Sequence, residues 1–155
     1  MTVATTAGTT LHIKAGQPTT FVSADYDTLF GSGASLVGEI TDLGEFGREF
    51  ALVTHNPIGS RGTKKFKGSF NEGSMSLSLG LDTDDAGQVV MKAASLSDND
   101  YSFKVTMQGG DIYYFQAKVM SWKVGAGSVD NITTASASLE ITSSSTGIGV
   151  VEKLA

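Results

Sequence analysis

Hydrophobic and polar residues alternate with a period of two along much of this chain, the signature of strands with one buried face. The alternation is densest from Tyr101 to Val124. Tyr101, Phe103, Val105 and Met107 alternate with Ser102, Lys104 and Thr106, and Gly109-Gly110 then supplies a hairpin turn. In the returning arm the parity changes. Tyr113, Phe115, Ala117 and Val119 share one face, then Met120, Trp122 and Val124 the other. A bulge near Val119, or a strand covered on both faces, accounts for the shift. Ser74 to Leu81 alternates cleanly, with Met75, Leu77, Leu79 and Leu81 pointing one way. Asn131 to Thr142 reads as a last strand, Ala135, Ala137, Leu139 and Ile141 inward. Shorter strands are expected at Thr9 to Lys14, Leu36 to Asp42 and Glu49 to His55, giving seven or eight in all.

The pattern changes to a helical one at about Asp84 to Ser95. Ala86, Val89, Val90, Ala93 and Leu96 fall on one stripe, and Asp85 with Gln88 has the spacing of a capping box. This helix is expected on the outside, covering the strands. Gln17 to Ser35 reads as a long connection pinned by Phe21, Val22, Tyr26, Leu29 and Phe30. Asn56-Pro57, with Gly59 and Gly62 following, marks a protruding loop from Asn56 to Lys65, and a strand follows from about Phe66. Residues 1–8 and 143–155 are expected to be flexible or partner-contacting arms of a single domain spanning 1–155. The fold class expected is mainly β, a two-sheet β-sandwich or barrel flanked by one short α-helix at about 84–95.

Composition narrows the chemistry. With no Cys among the 155 residues there is no disulfide, thiolate nucleophile or Cys-ligated metal. No basic-then-apolar opening stretch is present, and no apolar run reaches the roughly 20 residues of a spanning helix, so neither a secretory signal nor a membrane association is expected. A formal charge of −5 argues against nucleic-acid binding as the main task, since phosphate binding is driven by Lys and Arg. Charged residues make up only 17%, sparse for a surface wholly in water and suited to subunit contact.

Candidate chemistry then falls away. His12 and His55 sit on separate strands without neighbours that suggest a metal or a catalytic base. Asp82 to Gly87, DTDDAG, has Asp spacing like a calcium loop, but Ala86 and Ala93 stand where ligands are needed, and helix capping explains the carboxylates. There is no GxSxG or HExxH motif, so the reading is of a non-enzyme without metal or cofactor. Tyr101, Phe103, Tyr113, Tyr114, Phe115 and Trp122 read as core rather than a base-stacking platform, which needs a basic groove. Arg61, Lys64, Lys65 and Lys67 form one basic cluster at the Asn56 loop.

Taken in order, VGEITDLGEF, the Gly-rich basic loop, FKGSFNEGSMSLSLGLD, the short helix DDAGQVVMKAASL and the hairpin YSFKVTMQGGDIYYFQAKVMSWKVG resemble the tail tube (major tail) proteins of long-tailed, non-contractile phages. The resemblance covers about Leu36 to Ser143. Val37-Gly38-Glu39-Ile40-Thr41 is similar to the family's V-x-D-I-T strand, with Glu39 in place of the acid. The resemblance implies a virion structural protein. Its subunits would close into hexameric rings with a continuous inner β-barrel, and the rings would stack into a tube through which DNA passes without specific binding. It implies other tail proteins as partners (tape measure, terminator and tip), location in the virion tail, and assembly in the host cytoplasm. It makes Asn56, Pro57, Arg61, Lys64, Lys65 and Lys67 candidates for contact with the next ring. Glu39, Asp42, Glu45 and Glu49 become candidates for the channel wall. The rivals are the tube protein of a secretion-type injection machine, which shares the architecture, and a monomeric ligand-binding β-barrel.

Overall fold

The computed structural model describes residues 2–155, which form ten strands and two helices. In chain order these are β1 (Thr10–Ala15), α1 (Ser23–Phe30), β2 (Ser35–Val37), β3 (Ile40–Asp42), β4 (Glu49–His55), β5 (Lys64–Asn71), β6 (Ser74–Gly80), α2 (Ala86–Ser95), β7 (Tyr101–Thr106), β8 (Ile112–Gly125), β9 (Thr134–Thr142) and β10 (Val151–Lys153). The main sheet has eight strands, all paired antiparallel. Its order is β2-β1-β7-β8-β9-β6-β3, and β10 adds to β8 beyond the end of β9.

The ends of that order, β2 and β3, are consecutive in sequence. Only Gly38 and Glu39 separate them. Three trans Cα–Cα steps span at most about 11 Å, so the two sheet edges are held near each other at this link and the sheet curls into a barrel-like roll, without β2–β3 pairing among the described residues. The sequence reads Leu36 to Asp42 as one strand. It is two, because the backbone turns at Glu39, the one non-glycine residue at positive φ (+60°) among those described. Alternation along β1, β6, β7, β8 and β9 fills the barrel with Leu11, Ile13, Met75, Leu77, Leu79, Phe103, Val105, Phe115, Leu139 and Ile141, all buried.

β8 carries both features that its parity shift predicts. The register with β9 slips between Val119 and Ser121, so Met120 is an extra residue. The slip sets Trp122 opposite Ala137 and Val124 opposite Ala135, the partners that continue the inward row of β9. Earlier in the strand both faces are covered. Phe115 enters the barrel, while Tyr114 lies under α1, stacked on Tyr26 with 5.0 Å between ring centroids. The connection at 107–111 turns at Gly110, whose φ of +96° only glycine adopts without strain.

A second helix, α1, is the main departure from the sequence reading, which takes Gln17 to Ser35 as a connection. Tyr26 and Phe30, four apart, bury one face of α1 against Tyr114. Polar groups fix it there. Gln116 Nε2 donates to the Tyr26 hydroxyl (3.2 Å) and to Ser102 Oγ (2.6 Å), and Ser102 donates to the Gly16 carbonyl. The Tyr114 hydroxyl donates to Asp27, and so does Lys153 Nζ (2.6 Å), tying the C-terminal strand β10 to α1. Burial pushes the Tyr114 phenol upward, reinforced by the Asp27 carboxylate. Burial also pushes Asp27 up, but hydrogen bonds from Lys153 and Tyr114 and the charges of Lys153 and Lys104 bring it below the ordinary carboxylate value.

The predicted helix is present as α2, capped by Asp85, whose side chain accepts from Gln88 N at 3.0 Å. Its buried face is not the expected stripe. Gly87, Gln88, Met91 and Ala94 face the barrel, while Ala86, Val89, Ala93 and Leu96 are exposed and Val90 is half-buried. Two local demands turn the helix. A Cβ at Gly87 would overlap the backbone of Leu36 and Val37, so the helix approaches β2 most closely there. Gln88 Nε2 donates to the carbonyls of Gly38 (3.1 Å) and Gly80 (2.9 Å), clamping the link between β2 and β3 to the end of β6. The Gln88 side-chain Oε1 accepts from Asp82 N rather than closing the capping box.

Candidate assembly interface

β4 and β5 pair only with each other, forming a two-stranded hairpin outside the main sheet. Every residue of β4 is exposed, and every residue of β5 except the half-buried Gly68. Its register sets Phe50 opposite Phe70 and Leu52 opposite Lys67 on one face, and Val53 opposite Phe66 on the other. Leu52 keeps 67% of its surface, Phe66 55% and Val53 47%. An isolated two-stranded hairpin with both faces wet is at best marginally stable, and both outer edges present unpaired backbone donors and acceptors.

The predicted loop residues meet at the far end of this hairpin. Asn56, Pro57 and Arg61 lie in the connection at 56–63. Lys64, Lys65 and Lys67 belong to β5, which starts two residues earlier than the sequence suggests. The Thr63 hydroxyl donates to Asn56 Oδ1 at 2.7 Å and closes the base of the loop. Ile58 stands fully exposed at the tip. Among the described residues none of Arg61, Lys64, Lys65 and Lys67 has a carboxylate within ion-pair distance.

The root of the hairpin is built differently. Arg48 precedes β4 and Glu72 follows β5. Arg48 Nε and Nη2 both donate to Glu72 Oε1, at 3.0 and 2.6 Å, and the guanidinium lies 3.9 Å from the Phe70 ring centroid. Arg48 Nη2 also donates to the Gly147 carbonyl (3.2 Å), bringing the segment before β10 onto the root. Glu72 is buried, with 4% of its surface exposed. The sequence reading does not single out Arg48 or Glu72. No local pattern marks them, because they are 24 residues apart and only the pairing of β4 with β5 brings them together.

Glu39, Asp42, Glu45 and Glu49 are all exposed along the segment leading from the barrel seam to the hairpin. Glu39 occupies the turn between β2 and β3, and Asp42 Oδ1 accepts from Gly44 N. Glu45 lies in the connector, and Glu49 opens β4. His12 is on β1 with its Nδ1 buried and unpartnered; burial, then the nearby Lys104, lowers its basicity. No group of His, Asp or Glu suited to a metal occurs among the described residues; Asp85 caps α2, while Asp82, expected to cap as well, instead accepts from Asp84 N in the turn before the helix.

An antiparallel sheet curled into a barrel-like roll, a projecting hairpin and the helix α2 across the β2–β3 link make up the fold. The sequence matches no family model and no curated protein. Solved structures do match. A chain of the anti-feeding prophage baseplate, 6-fold symmetrised, aligns with a TM-score of 0.66 at 10% identity, over 92% of this chain and 93% of that one. The SPP1 tail tube aligns at 0.63 and 15% identity, over 95% and 77%. The tail of an empty gene transfer agent particle, with C6 symmetry, aligns at 0.60 and 14%, over 94% and 95%. The likeness is one of fold, spread over nearly the whole chain.

Proposed function

We propose that this protein is the structural subunit of a phage tail tube, assembling into hexameric rings that stack into a channel for DNA. The observation that carries the reading is the uncovered β4–β5 hairpin. It exposes Leu52, Val53, Phe66 and both strand edges, and a neighbouring copy supplies what the single chain lacks. Burying a side chain of this size contributes about 1.5–3 kcal/mol, so six hairpins per ring add up to a strong assembly term. The fold likeness to tail and baseplate assemblies with six-fold symmetry supports the ring order.

In this reading Asn56, Pro57, Arg61, Lys64, Lys65 and Lys67 contact the next ring. Glu39, Asp42, Glu45 and Glu49 contribute to a negative channel wall, which repels phosphates and lets DNA slide. The partners are further copies and the tape measure, terminator and tip proteins. The protein belongs in the virion tail after assembly in the host cytoplasm.

Negative-stain electron microscopy over a concentration series tests the assembly class, rings or hollow tubes being the expected result. Reversing Lys64, Lys65 and Lys67 to Glu in one variant is expected to abolish stacking while the circular dichroism spectrum stays that of the wild type. Tubes of wild-type length from this triple variant would refute the role of the basic cluster.

A further inference from the structure

We infer that the hairpin tip of one copy docks, through Ile58, into the cleft between α2 and the end of β8 on a second copy. This rests on the tube reading above and names the receiving surface within it. The cleft measures about 240 Å³ and is walled by Leu81, Val89, Trp122 and Val124. Val89 and Val124 are each more than half exposed, and beside Val89 the apolar stripe of α2 continues outward to Leu96 at 86%. That stripe faces solvent because Gly87 and Gln88 claim the barrel side of the helix. A single subunit therefore presents an apolar knob and an apolar cleft, both uncovered.

Charge selects the partner. Among the described residues no carboxylate lies within ion-pair distance of Arg61, Lys64 or Lys65 at the tip. The cleft is flanked by Asp82, with Asp84 beside it, neither ion-paired. Asp130 lies in the loop that the Leu81 N–Thr133 O hydrogen bond (3.0 Å) fastens to the same wall. Lys92 is the single cation lining the cleft. Three cations on the tip meeting this acidic side are attracted, whereas two tips repel each other. A second copy is thus a better occupant than a neutral apolar peptide.

The chain's lack of cysteine makes the contact directly testable. Ile58→Cys and Val89→Cys are prepared as separate variants, each checked for tubes under reduction, then mixed, co-assembled and oxidised. Val124→Cys repeats the test from the opposite wall, and Thr28→Cys on α1 is the control. A disulfide requires Cα atoms within about 7 Å, so a heterodimer band reports close approach. The expected result is a heterodimer of Ile58→Cys with Val89→Cys or Val124→Cys, and none with Thr28→Cys. Tubes that form without either bridge overturn the docking site and leave the tube reading standing. Wild-type protein that forms neither rings nor tubes overturns both.

Discussion

Removing either half of the Arg48–Glu72 pair should have unequal effects, and the inequality follows from burial. Glu72 is 4% exposed, sealed in part by Gly149, where an added Cβ would overlap the carboxylate. The Arg48 side chain keeps 36% exposure and has other partners in the Gly147 carbonyl and the Phe70 ring. Arg48→Met leaves a buried carboxylate without its cation. An uncompensated buried charge costs about 3–5 kcal/mol, and the half-open guanidinium side sets the expected loss near the lower end, about 3 kcal/mol. Glu72→Gln leaves an amide oxygen that still accepts from Arg48, and a guanidinium that water can reach. The expected loss is about 1 kcal/mol. Urea unfolding followed by Trp122 fluorescence measures both, with the midpoint shift converted at constant slope. Trypsin cleavage after Arg61 or Lys64 in the folded protein tests whether the loosening centres on the hairpin, and it should rise more in Arg48→Met. Equal losses, or a larger loss for Glu72→Gln, would refute the argument that buried charge at the root holds the hairpin.

Two further outcomes follow from the fold. Gly87→Ala places a methyl group against the Leu36 carbonyl and should cost about 1–3 kcal/mol through overpacking, against the usual gain of Ala over Gly in a helix; a thermal midpoint equal to or above wild type would show that α2 does not need this approach. Asp27 is held below its ordinary carboxylate value, so its bonds to Tyr114 and Lys153 add stability above the unfolded value, and that stability is lost as pH falls through the folded value. Amide exchange at Val151–Lys153, corrected for its intrinsic pH dependence, should therefore accelerate on acidification below the ordinary Asp range, and protection that holds there would refute the tie.

Much of the barrel is legible in the sequence because period-two alternation survives wherever one strand face is buried. β6 and β7 are read nearly to the residue, β9 begins three residues later than the reading at Asn131, and the Met120 bulge shows as a change of parity. α1 is harder. Its Tyr26 and Phe30 have helical spacing, but Ser23, Asp25 and Asp27 are poor helix formers, and tertiary packing on Tyr114 decides the outcome. The β2–β3 seam is invisible for another reason. Leu36 to Asp42 has the composition of a strand, and nothing local says that its two halves join opposite edges of the sheet. The basic loop was visible as NPIGSRG with its lysines, but the ion pair beneath it joins residues 24 apart and leaves no local pattern.

The misread face of α2 carries the most information. An apolar stripe is ordinarily the buried one, and a helix that turns it outward leaves apolar surface uncovered, the observation on which the proposed docking rests. The hairpin shows the same inversion, with Leu52, Val53, Phe66 and Ile58 open to water. Among the described residues β2, β3 and β10 leave open edges only three residues long, so the hairpin strands β4 and β5 present the longest edges left open to pairing. Lys64, Lys65 and Lys67 line one of those edges, and charged edge residues keep like edges apart. In the assembly proposed above, a free subunit is thereby discouraged from pairing hairpin to hairpin, while an acidic partner surface still attracts the tip. Apolar surface supplies the strength of such a contact and the lysines its selectivity, which lets an aggregation-prone hairpin remain exposed until the correct neighbour arrives.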